Sequence, residues 1–303
     1  AAAPAGVPGG AAVLSVEAGV PAYLGEEAQA IEVVGTVPEP NLEAIAALEP
    51  DLILGTESRH SDLYDQLASV APTVFMATQT DPWQENVLLV GGALGREADA
   101  HALLDAYDAR SAQLQEDYDV SGTAQLLRPR DGIVSAYGPR SFAGSTLECV
   151  GFTTPEQEWG EDISVDLSPE RVTEAAADLV LVSAADPDDA SAVPAEIPLN
   201  AASFPDVRVV DQSSWISGVG PLGGQAVLDD VERVRAGRAG GGRAGPAPPR
   251  NATAPERVGV DGLRRAVDSA LEQGVEGVVA RGFRRVRGLH LSRLHVSEPG
   301  GAG

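Results

Sequence analysis

Much the same nineteen-residue phrase occurs twice in this chain, and the repetition limits the folds open to it. The first copy runs from Val37 through Asn41-Leu42-Glu43 and Pro50-Asp51-Leu52-Ile53-Leu54 to Gly55. The second runs from Ser164 through Pro169-Glu170-Arg171 and Asp178-Leu179-Val180-Leu181 to Val182. Overlaid without a gap, Glu43 falls on Glu170, Ile45 on Val172 and Asp51 on Asp178. Each copy predicts a short helix with an acid in its first turn, a tight turn, and then a buried parallel strand. Two such units far apart imply two similar α/β lobes, an arrangement that binds ligands in the cleft between its halves.

Composition narrows the function classes. The 303 residues suffice for two domains that each bury a core. A net charge of −24 argues against nucleic acid, because phosphate binding needs a basic surface. All 21 basic residues are arginine, a bias that reads as GC-rich coding rather than a physical need. Cys149 stands alone, so neither an internal disulfide nor a cysteine metal cluster is available. The opening Ala1 to Val13 is small and apolar without a positive start, so it is not an intact signal peptide. No apolar run reaches the 18 or so residues of a membrane span.

Charge divides the chain. Residues 1–234 carry 9 Arg against 39 acids, and residues 235–303 carry 12 Arg against 6. The change falls on Arg235-Ala236-Gly237-Arg238 and the Gly- and Pro-rich stretch that follows, a linker composition. We therefore expect a tail over 235–303, read as largely disordered rather than as a membrane or nucleic-acid arm. Within it, Val260 to Gln273 has the pattern of one amphipathic helix, and Gly282 to His295 is arginine-rich.

Upstream, strands are expected at Ile31–Val34, Leu52–Leu54 and Thr73–Phe75, with helices at Asn41–Leu48, Asp62–Ser69 and Trp83–Leu94. Glu97 to Tyr118 contains no Gly or Pro and predicts one helix of about 33 Å. A second set follows, with strands near Gln125–Leu127, Ile133–Ala136, Leu179–Val182 and Val207–Val210, and a last helix over Leu222–Val234. Such alternation predicts parallel sheets covered by helices. The resulting expectation is an α/β protein of two small Rossmann-like lobes, residues 1–96 and 119–234. One long rigid helix over 97–118 joins them, with the ligand cleft between.

The wording of several segments is more specific. Pro40-Asn41-Leu42-Glu43 with Leu48-Glu49-Pro50-Asp51, then Arg59-His60 with Leu63-Tyr64-Asp65-Gln66-Leu67, resemble the iron–siderophore members of the ABC-transporter substrate-binding proteins. These are the ferrichrome/desferrioxamine-type members, of the helical-backbone class. Leu94-Gly95-Arg96-Glu97, Tyr137-Gly138-Pro139-Arg140-Ser141-Phe142-Ala143-Gly144, Ser213-Ser214-Trp215 and Val227-Leu228-Asp229-Asp230 match as well. The resemblance covers about residues 20–234. It implies capture of a ferric siderophore, a hydroxamate by preference, outside the cytoplasm and delivery to an ABC permease dimer by a monomeric receptor that performs no catalysis. The chain departs from the pattern in its short, Gly/Ala-rich start, in lacking the N-terminal cysteine that family members use as a lipid anchor, and in the tail after 235.

A ferric hydroxamate presents oxygens around a metal it already coordinates, so the protein supplies aromatic walls and fixed donors rather than metal ligands. Arg59, Tyr64, Trp83, Tyr137, Arg140, Trp159 and Trp215 are the candidates, all near the ends of expected strands. Structural roles compete: Trp83 follows Asp81-Pro82 and can simply start a helix, and Tyr64 and Tyr137 suit a core. Trp215 carries the best odds of ligand contact, because its setting matches the family motif. His60 reads as a neighbour of the site rather than a metal ligand. Glu43 and Glu170 are either first-turn acids favourable to their helices or, as the resemblance implies, the pair that docks on permease arginines.

Other cargoes and another class stay open. Haem or cobalamin fits the same fold. A bare-ion importer needs three or four converging His or carboxylate ligands, and the acidic body offers only His60 and His101. For a two-lobed hydrolase, no Gly-x-Ser-x-Gly elbow, Walker loop or His-Glu-x-x-His is present. Gly218-x-Gly220-x-x-Gly223 spells a dinucleotide fingerprint, yet lies too far past its strand and reads as the start of a helix.

Overall fold

The computed structural model describes residues 8–77, 82–118 and 120–239. These divide into two units, one built from 8–77 and 85–101 and the other from 82–84, 102–118 and 120–239.

In the first unit, β1 (Gly10–Val13) pairs in parallel with β2 (Glu32–Thr36). The chain then folds tightly back on itself. Gly35 takes φ 102°, and a Cβ there would sit 2.7 Å from the Glu39 carbonyl oxygen, so only glycine fits. Asn41 caps α1 (Leu42–Ala47) by accepting the Ala44 N–H at 3.0 Å. Next, β3 (Ile53–Thr56) runs parallel to β4 (Thr73–Met76), Ile53 opposite Thr73. The crossover carries α2 (Glu57–His60), a 3₁₀ turn at Ser61–Leu63 and α3 (Tyr64–Ala68). Then come α4 (Trp83–Ala93) and α5 (Glu97–Asp117), the latter continuing into the second unit.

The second unit is a five-stranded sheet in the order β7-β6-β5-β8-β9. Its strands are β5 (Ala124–Arg130), β6 (Ile133–Tyr137), β7 (Ser164–Leu167), β8 (Leu179–Ala184) and β9 (Val207–Asp211). Only half of it is parallel. β5 and β8 pair in parallel, as do β8 and β9, while β6 runs antiparallel to both β5 and β7. This corrects the expectation of a wholly parallel sheet. The cause is local: Arg130 faces Ile133 across a two-residue turn, Asp131-Gly132, with φ 48° and 79°. Two positive φ angles make a hairpin turn whose twist suits antiparallel strands. Central β8 is buried at every position, as its continuous apolar run requires.

Helices α6 (Phe142–Cys149), α7 (Glu196–Leu199), α8 (Gln212–Trp215) and α9 (Pro221–Ala239) complete this unit. Helix α9 runs past the expected boundary at 234. Arg235 is 8% exposed, lies 4.3 Å over the Phe152 ring and donates to the Ser121 carbonyl at 3.2 Å, so it belongs to the folded body. The expected features at 260–273 and 282–295 lie outside the described residues.

The two copies of the repeat take related but unequal forms. The first is α-helical and leads to a half-buried strand, with Leu54 40% exposed. The second is a 3₁₀ helix over Pro169–Ala175 leading to the wholly buried β8. The difference follows from their settings: β3 has one strand neighbour, and β8 has two.

Candidate functional site

In the first unit the candidates follow β3. Thr56 ends that strand, and α2 and the 3₁₀ turn carry Arg59, His60 and then Tyr64. Arg59 is exposed and Tyr64 half-buried. The Tyr64 ring meets Phe75 edge-on, with centroids 5.2 Å apart. Phe75 itself lies over Gly55, where a Cβ would be 2.6 Å from its ring. His60 accepts the Thr56 N–H at Nδ1 at 3.2 Å and contacts the Val37 carbonyl through Nε2 at 2.8 Å.

In the second unit the candidates gather at the end of β6. Tyr137 is its last residue and half-buried. Gly138 follows, and the Trp159 ring covers it so closely that a Cβ would sit 2.6 Å away. That indole also packs against the core cluster that includes Leu127, Val134, Ala136 and Leu167. A turn, closed by the Asp162 N–H on the Trp159 carbonyl at 3.1 Å, brings Glu161 to Arg140 at 3.8 Å. Arg140 is exposed and Glu161 more so, leaving the guanidinium available to a ligand. Ser141 fastens the loop by donating to the Gly138 carbonyl at 2.7 Å and accepting the Gly144 N–H at 3.0 Å, which caps α6.

Two tryptophans read as ligand walls lie elsewhere. Trp83 is 1% exposed, packed edge-on against Tyr107 and Phe142 with centroids at 5.2 and 5.7 Å. Trp215 is also 1% exposed, and its indole N–H donates to Asp230 at 2.7 Å. In this structure both are core side chains of the second unit. The physical reason is that each finds enough apolar surface there, together with, for Trp215, an acceptor for its N–H. Scarcity in the sequence could not reveal which way a ring faces.

Glu43 and Glu170 occupy matching places in the repeat, both exposed in the first turn of their helices. Its own backbone N–H, and then the Ser168 hydroxyl, hold the Glu170 carboxyl below the usual glutamate range. It is therefore a carboxylate at neutral pH. Sequence reasoning overlooked the Arg140 partner Glu161 and the loop-fastening Ser141. The N-cap pattern of Ser141, three residues ahead of Gly144 before an apolar helix, was the available signal.

Among the described residues, no group of three or more His, Cys, Asp or Glu is placed to hold a metal ion. No described helix is long and apolar enough to cross a membrane.

Residues 14–201 match the model of a protein family described as periplasmic binding protein. The chain belongs to that family. Members of this family to which it is similar are named as binding proteins rather than enzymes. The achromobactin-binding periplasmic protein of Dickeya dadantii is 30% identical over 235 residues, which is 72% of this chain and 76% of the relative. The Bacillus subtilis protein named "probable siderophore-binding lipoprotein YfiY" is 33% identical over 138 residues. That match spans 45% of this chain and 42% of YfiY, less than half of either. Among solved structures, Staphylococcus aureus SirA superposes with a TM-score of 0.63 at 29% identity, covering 75% of this chain and 90% of SirA. SirA in complex with staphyloferrin B gives 0.60 at 27% identity, covering 75% and 85%. These neighbours share the two-lobed α/β fold expected from the repeat.

Proposed function

We propose that this periplasmic binding protein captures a ferric siderophore outside the cytoplasm and hands it to an ABC importer. The observation that carries the reading is the exposed Arg140 beside half-buried Trp159 and Tyr137 at the end of β6. An arginine fork next to an aromatic face suits a chelate that is both oxygen-rich and partly apolar. The relatives named for achromobactin and the complex of SirA with staphyloferrin B support the cargo class.

Arg59 and Tyr64 on the first unit, with Tyr137, Arg140 and Trp159 on the second, are the direct contacts. Trp83 and Trp215 support the second unit from within. The lobes of this receptor are residues 1–96 and 119–234, joined by the helix 97–118. Iron stays with the siderophore. Glu43 and Glu170 dock the monomeric receptor on the two halves of the permease, one acid per lobe.

A fluorescence titration with ferric desferrioxamine, ferrichrome, staphyloferrin B, a catecholate chelate and haem tests this. Saturable quenching by a ferric siderophore that is lost in Trp159→Ala supports the reading. Haem as the sole ligand would change the cargo, and silence towards all five in a protein folded by circular dichroism would end it.

A further inference from the structure

The first unit holds two separate two-stranded sheets, β1-β2 and β3-β4, and one imidazole reaches between them. Its partners dictate its chemical state. The Thr56 backbone N–H can only donate, so Nδ1 of His60 bears no proton. The Val37 carbonyl can only accept, so Nε2 carries the proton and donates it. This arrangement exists solely for the neutral Nε2–H tautomer, since an imidazolium would point a second N–H at the Thr56 N–H.

Losing the link is costly for a specific reason. Ile53 donates towards β4 through the Pro72 carbonyl, and N–H groups alternate in direction along a parallel strand. The Thr56 N–H, three residues on, therefore faces away from β4. Thr56 is 2% exposed, so without His60 this donor is buried with its acceptor gone. The ring also lies 6.3 Å from Phe75, on which Tyr64 stands edge-on. His60 thus touches the strand, the loop after β2 and the aromatic seat of Tyr64. The charged side chains on the surrounding elements are Glu57, Arg59 and Asp62 on its own segment and Glu39 and Glu43 beyond Val37; β4 bears none.

We propose that His60 is a positioning residue of the ligand site, a clip that seats Arg59 and Tyr64 through its links to Thr56 and Val37. The inference rests on the siderophore reading for its binding arm, but not for its geometric one.

Glutamine can accept at Oε1 and donate at Nε2 without titrating, so His60→Gln is the conservative variant and His60→Ala the disruptive one. Two-bond ¹H–¹⁵N spectra of the full chain, with His60 assigned from the variant, should show the Nε2–H tautomer at pH 8. Affinity for ferric staphyloferrin B and ferric desferrioxamine should fall on the order of tenfold in His60→Ala, the scale of one orphaned buried donor. It should stay within about twofold of the native value in His60→Gln, which restores both hydrogen bonds. An Nδ1–H tautomer, or native affinity in His60→Ala, overturns the proposal. If neither chelate binds, melting temperature decides. A lower melting temperature in His60→Ala that His60→Gln restores supports the clip, and equal values for the native chain and His60→Ala refute it.

Discussion

A tryptophan's surroundings, rather than its rarity, determine its role here. Trp159 presents part of its ring beside Arg140, whereas Trp215 is enclosed and bonded to Asp230. Their variants should therefore part company. Trp159→Ala should weaken ferric siderophore binding at least tenfold with a small change in melting temperature. Trp215→Phe should leave affinity within about twofold and cost roughly 1–2 kcal/mol in chemical denaturation, through the lost hydrogen bond and smaller ring. Asp178 accepts both the N–H and the hydroxyl of Thr123, at 2.8 and 2.9 Å, and fixes the start of β5 against β8.

At the scale of elements, sheet direction turned on two residues. Asp131-Gly132 is a hairpin signal present in the sequence, and it was passed over because the flanking apolar runs suit parallel strands equally well. The antiparallel side carries a polar pin: Arg130 and Ser135 both bond Asp166 on β7, Ser135 at 2.6 Å. The Ser135 hydroxyl, then the Arg130 guanidinium, lowers the Asp166 pKa against a desolvation cost. A depressed carboxyl adds stability above its unfolded value of about 3.9 and loses it as pH falls through the lower native value. The stability gap between the native chain and Asp166→Asn should therefore be steady at neutral pH and close below about pH 4, read by urea midpoints. Helix packing offers a sharper test. A Cβ on Gly224 would meet the Tyr107 ring at 2.7 Å, so Gly224→Ala should destabilise by about 1–3 kcal/mol despite its better helix propensity.

For the whole molecule, the acids Glu43 and Glu170 carry the prediction. Both are exposed, and neither makes part of a core. Replacing the two by alanine should leave siderophore affinity and melting temperature unchanged and abolish uptake in a reconstituted importer. A loss of affinity instead would assign them to the ligand site. The chain's charge of −24 adds a general expectation, that encounter with an arginine-bearing permease slows as salt is raised.

The sequence by itself determined the class of fold. Its repeat, its alternation of apolar runs and its Gly- and Pro-free stretch placed most strands and helices, because those signals are local and periodic. Motif wording led to the family, through loops such as Tyr137 to Gly144 in which Ser141 ties the backbone in place. Tertiary structure decided the rest. Which tryptophans face the core, that Arg235 is folded into the body, and that His60 bridges two sheets all depend on residues remote in sequence. Such contacts leave no period to read, and only the folded chain brings Thr56 and Val37 to one imidazole.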